Sequence, residues 1–161
     1  MNAARQIALC AVAATVAATA AAASQPFYIG AWKLTGAVKA PWADPAYPLD
    51  PAEPSHLLGK TLAFKARGIE GPQPFTCPGA RYKIEAFGAD MLFQGAFGEM
   101  RRKDRRVDPV KIAASLGFAA TKVRTLLTGC EFDFHFLDAT TAETGLNDYV
   151  YTLKKLSPAP R

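Results

Sequence analysis

Thr128-Gly129-Cys130-Glu131-Phe132-Asp133-Phe134-His135-Phe136 alternates with period two from Glu131 onward. Successive side chains of an extended strand point to opposite sides, so Phe132, Phe134 and Phe136 share one face and Glu131, Asp133 and His135 the other. Three phenylalanines on one side need an apolar layer against them, which sets this strand against the middle of the fold. The rest of the chain has to supply that layer.

Short alternating segments recur on both sides of this stretch. Residues 121–128 lead into it through Gly129, and residues 140–146, the turn Asn147-Asp148 and residues 149–156 read as a hairpin with Tyr149, Tyr151 and Leu153 on one face. Upstream, residues 27–38 carry Trp32 and Leu34 on one parity, residues 61–66 carry Leu62 and Phe64, and residues 81–87 set Tyr82 and Ile84 opposite Lys83 and Glu85. Residues 91–97 are apolar but broken by Gly95, and read as a short strand or a turn. Asp108 as cap, Pro109 in the first turn, an apolar stripe of Val110, Ile112, Ala113 and Leu116, and Gly117 as stop mark a helix. Prolines at 41, 45, 48, 51 and 54 exclude regular structure over residues 41–54, which predicts a surface arm held by Trp42, Tyr47 and Leu49, with a helical turn or two between Asp50 and Gly59. The expected fold is mainly β with a minor α part. It is a small antiparallel β-barrel or strongly bent sheet of about eight strands with one packed short helix.

The 161-residue chain suits one domain after its N-terminus is set aside. Residues 1–24 combine Arg5, an uncharged alanine- and valine-rich run and small residues before Gln25-Pro26, the pattern of a cleaved secretory signal. A single domain over 25–156, a loose tail at 157–161, no membrane span after cleavage and a periplasmic or secreted location are expected. Removing Arg5 and no acid leaves 18 Lys and Arg against 14 Asp and Glu, a charge of +4. Such a charge bears on solubility and weak attraction to anions, and not on fold. Export also leaves two of the three cysteines, Cys77 and Cys130, and an even pair in an oxidising compartment reads as a disulfide. A loop of that length would contribute about 4 kcal/mol in the chain-entropy picture.

Gly30-Ala31-Trp32 at the start of the first strand resembles the glycine-x-tryptophan signature of lipocalin-like (calycin) barrels, and the Asp148-Tyr149 pair is similar to part of their second motif. The resemblance implies an eight-stranded barrel with the tryptophan packed across a closed end and a cavity for a small apolar ligand. The present helix lies inside the chain, whereas that family carries it near the end. Ala40-Pro41-Trp42-Ala43-Asp44 together with the phenylalanine strand also resembles small periplasmic bacterial proteins, which implies export and compactness.

Three functional readings follow. The first is a binding protein holding an apolar small molecule among Trp32, Phe64, Tyr82, Phe93, Phe132, Phe134 and Phe136. The second is a cell-envelope interaction module, such as an inhibitor or assembly factor, using the arm with Trp42 and Tyr47 or the basic run Arg101, Arg102, Lys103, Arg105 and Arg106 as a contact for anionic surfaces. The third is an enzyme or metal site on the face of Glu131, Asp133 and His135, about 7 Å apart along the strand. The plainer account of that face is a solvated row paired with a neighbour such as Arg124, and the plainer account of the arginines is a solvated loop before the helix. No phosphate loop, nucleophile elbow, paired-histidine helix or dinucleotide fingerprint is present. The expectation is therefore no catalytic residue, no metal, no cofactor and no nucleic-acid partner.

Overall fold

A computed structural model describes residues 25–157; residues 1–24, read above as a secretory signal, and the last four residues of the tail lie outside the described part. Eight antiparallel strands form one strongly curled sheet: β1 (Gly30–Lys39), β2 (Thr61–Lys65), β3 (Gly68–Glu70), β4 (Lys83–Phe87), β5 (Val123–Leu127), β6 (Phe134–Phe136), β7 (Thr141–Leu146) and β8 (Tyr149–Lys155). Their order across the sheet is β3-β2-β1-β8-β7-β6-β5-β4. Strands adjacent in sequence pair except β3 and β4, and β8 pairs with β1, so this is an up-and-down half-barrel left open between β3 and β4. At the level of fold class it fits the calycin-like architecture that the glycine-x-tryptophan resemblance implies.

The opening is bridged. Ile69 and Cys77 exchange backbone hydrogen bonds of 2.8 Å, Arg81 N–H reaches Thr128 O at 2.7 Å, and the Tyr82 hydroxyl donates to Gly68 O at 2.6 Å. The Cys77–Cys130 disulfide ties the same segment to the loop before β6.

The alternation of the quoted stretch holds as expected on its aromatic side. Phe132, Phe134 and Phe136 are buried in the interior with Trp32, Phe64, Phe75 and Tyr151. The polar side differs from the solvated row expected for it, because β6 is covered on its second face as well. There Phe93, Phe97, Phe118, Val123 and Val150 form a second apolar cluster beneath two helices, and His135 is only 1% exposed.

Three helices replace the single one expected. α1 (Ala52–Leu57) falls where a turn or two was read between Asp50 and Gly59. α2 (Leu92–Lys103) occupies the stretch read as a strand or turn and takes in Arg101, Arg102 and Lys103, so these cations sit on a last helical turn and not in a loop. α3 (Pro109–Ser115) starts as predicted, with Asp108 Oδ1 accepting from Val110 N–H at 2.9 Å. Ile112, Ala113 and Leu116 of the expected apolar stripe pack on the second cluster and Pro109 is buried with them, while Val110, assigned to the same stripe, is 66% exposed. The proline arm is held by Trp42 and Leu49 but not by Tyr47, which is 70% exposed. Instead, β8 anchors it through Tyr149 Oη to Asp50 O and Tyr151 Oη to Glu53 Oε1, each 3.0 Å. No described helix is long and apolar enough to cross a membrane.

Candidate functional site

The residues expected to line an apolar cavity separate into two groups. Trp32, Phe64, Phe134 and Phe136 pack ring on ring, with centroids 4.8 Å apart for Phe64 and Phe134 and 5.6 Å for Trp32 and Phe136. Tyr82 closes this cluster at the sheet opening, 6.4 Å from Phe64. A guest among these rings would have to part them, so their contacts are those of a core. Phe93 does not belong with them: it lies across the sheet, 4.7 Å from the His135 ring.

That second face carries the more informative arrangement. Strand register sets Thr125, His135, Glu143 and Thr152 side by side across β5, β6, β7 and β8. Phe93 N–H donates to His135 Nε2 at 2.8 Å, which fixes the ring proton on Nδ1, and Nδ1–H then faces Thr125 Oγ1 at 2.8 Å. Burial holds the imidazole pKa down to about 3, so the ring is neutral. Both nitrogens are engaged, which leaves no lone pair for a metal and no base for proton transfer. What the histidine holds is backbone: Phe93, Gln94 and Gly95, at the start of α2, have φ of 49°, 57° and 84°. The left-handed region costs a non-glycine residue about 1 kcal/mol or more, and an obligatory hydrogen bond offsets it.

This left-handed turn forms one wall of an open cleft of about 240 Å³. Trp42, from the proline arm, forms another: its indole N–H donates to Asn147 O at 2.8 Å, and its ring lies 5.1 Å from Phe93. Gly145 makes room for it, since a Cβ there would sit 3.0 Å from indole Cζ2 and Cη2. The third wall is the loop into β6. Thr128, fully buried, accepts from Cys130 N–H at 3.1 Å and donates to Phe132 O at 2.6 Å, and with the disulfide it fixes the position of Glu131 and Asp133. Gln94 Nε2–H donates to Glu131 O, and Thr144 Oγ1–H to Asp133 O at 2.8 Å.

Glu131 is exposed, and Asp133 is half-buried with its pKa raised by burial, Thr128 N–H pulling weakly the other way. No lysine or arginine lines the cleft. Glu131, Asp133 and His135 all border the cleft, then, but both nitrogens of the histidine are spent on structure. Among the described residues no group of three His, Cys, Asp or Glu is placed to hold a metal.

Trp42 was legible as an anchor in a segment too proline-rich for a core strand, and Asn147 as a turn residue, its φ being 49°. Gln94, Thr144 and Gly145 carried no signal, because they meet only through α2 and the β7 register. The basic run lies elsewhere, on the last turn of α2 and just beyond, where Arg106 is hydrogen-bonded to Asp104 Oδ2 at 2.8 Å. Compared with protein-family models, with curated proteins and with solved structures, the chain matches none, so its likeness to lipocalin-like barrels is one of fold class alone.

Proposed function

We propose that this protein is an exported binding module that takes a cationic group, an ammonium or guanidinium of a partner in the cell envelope, into the cleft beside Trp42 without chemical turnover. The observation that carries the reading is the composition of that cleft: a fixed indole with two acidic residues and no lysine or arginine, on a chain whose balance is basic. A cation over an aromatic ring with a desolvated carboxylate beside it gains from both. Export rests on residues 1–24 and on the Cys77–Cys130 bond, and lack of turnover on the engagement of both His135 nitrogens.

Tryptophan fluorescence tests this directly, because Trp32 is fully buried and Trp42 is not. Titration with acetyl-arginine amide is expected to saturate, and the citrulline analogue, which is uncharged, to bind at least tenfold more weakly. Asp133→Asn is expected to lower affinity about tenfold, the loss of one charge-assisted hydrogen bond. Binding should strengthen as pH rises through the raised pKa of Asp133, since the cation selects the ionised carboxylate. Equal binding of the two probes, or none, rejects the reading.

A second reading keeps the apolar ligand but moves it to the surface beside β1 and β2, where Tyr28, Ile29, Ala63 and Phe64 border an open groove of about 520 Å³. Enhanced emission of an apolar dye that is lost in Ala63→Asp would favour it.

A further inference from the structure

A second concavity, of about 930 Å³, lies where α2 runs into α3, and Arg101, Arg102 and Arg105 border it. Asp90 and Gly98 border it too, and Gly98 is bare because a Cβ there would stand 2.8 Å from Asp90 O. The cations are not equally engaged. Arg102 pairs with Glu99, and Arg106 next door pairs with Asp104, but Arg101 and Arg105 form no ion pair among the described residues. Cations on the last turn of a helix suit its dipole, which accounts for Arg101. It does not account for Arg105, which lies beyond the helix end.

The rim of the groove is apolar as well as basic. Val110, which borders the groove, is 66% exposed, and Met91, which follows the groove residue Asp90 in sequence without bordering the groove itself, is 51% exposed. A soluble polyanion would satisfy the guanidiniums and leave both apolar side chains in water. An anionic bilayer uses both: phosphates meet the guanidiniums, and the apolar side chains enter the headgroup boundary. From this pairing we infer that the α2–α3 corner is a peripheral docking surface for anionic phospholipid, with Arg101 and Arg105 on lipid phosphates and Val110 at the interface. The site is separate from the Trp42 cleft and does not depend on what that cleft binds.

Flotation of the protein with vesicles tests it, comparing phosphatidylcholine alone with phosphatidylcholine containing phosphatidylglycerol. A basic residue near an anionic surface is worth about fivefold in partitioning, so Arg101→Gln with Arg105→Gln should reduce binding to the anionic vesicles roughly 25-fold. Lys33→Gln with Lys60→Gln, both exposed and outside the groove, makes the same change in net charge and is expected to lose only a few-fold. Comparing variants of one chain removes any contribution of residues 1–24. Val110→Ser should weaken binding further at unchanged charge. Equal loss in the two double variants would reduce the effect to net charge and overturn the proposal. So would equal binding to neutral vesicles. Displacement from the vesicles by micromolar pyrophosphate would show a discrete phosphate pocket in its place, and also overturn it.

Discussion

His135 and Glu143 face each other across β6 and β7 and carry opposite pH dependences. Glu143 is 5% exposed, Oε2 has no protein partner among the described residues, and burial raises its pKa to about 7, with the Thr152 hydroxyl pulling the other way. The folded state therefore keeps a proton that the unfolded chain releases from about pH 4.5, and the stability contributed by neutral Glu143 is lost as pH rises through 7. His135, held down to about 3, does the reverse: its contribution is complete above pH 6.5 and is lost as pH falls towards 3. Between about pH 4.5 and 6.5 the two slopes cancel. Glu143→Gln should remove one of them, raising stability at pH 8 by up to about 3 kcal/mol and exposing a fall on acidification from about pH 6.5 to 4.5, where the unmodified protein stays level. Urea unfolding at half-unit pH steps measures both effects. Alternation in the sequence assigned His135 to the polar face correctly. It could not show that this face is covered, because period two reports which side a residue takes and not what lies on that side.

The covering element is α2, and its sequence conceals it. Gly95 and Gly98 lower helix propensity, no side chain caps its start, and its first turn is left-handed, a conformation that pattern reading does not anticipate. The Arg101 to Arg106 run, read from the sequence as a loop before α3, begins on this concealed helix. Seen at the end of α2, its first three cations lie where the dipole favours them. Gly98 distinguishes propensity from packing. In an exposed helix Gly→Ala stabilises by about 1 kcal/mol, but here the added methyl meets a backbone oxygen at 2.8 Å. Gly98→Ala should therefore destabilise by roughly 1–3 kcal/mol, as overpacking does, with lost protection of α2 amides in hydrogen exchange. By contrast α3 was legible because Asp108 and Pro109 act locally, and local chemistry is what a single sequence displays best.

Across the whole molecule, the half-barrel depends on what spans its opening. The β3 edge has three residues and β4 is half-exposed, with Ile84 39% exposed, so neither edge is strongly held by burial. Cys77 is the junction: its backbone pairs with Ile69 on β3, and its sulfur is bonded to Cys130, 53 residues away and next to the strand that sits under the core. Tyr82 adds a second tie, and burial raises its pKa to about 12, so the phenol remains a donor to Gly68 O at any ordinary pH. The cysteine pair and the up-and-down pattern were both legible, since each follows from counting and alternation. Where the sheet opens was not, because short strands at β3 and β4 differ from their neighbours only in what they fail to pair with. Replacing both cysteines by serine should cost about 4 kcal/mol overall, chiefly through the less constrained unfolded chain. Adding Tyr82→Phe to that variant removes the remaining side-chain tie, and about 1 kcal/mol more should go. Hydrogen exchange tells where: amides of Ile69, Cys77 and Arg81 should lose protection first, while those of β1 and β8, paired over most of their length, keep theirs. Uniform loss across all eight strands would mean that the sheet holds its curl without the seam. The disulfide would then act on the unfolded chain alone.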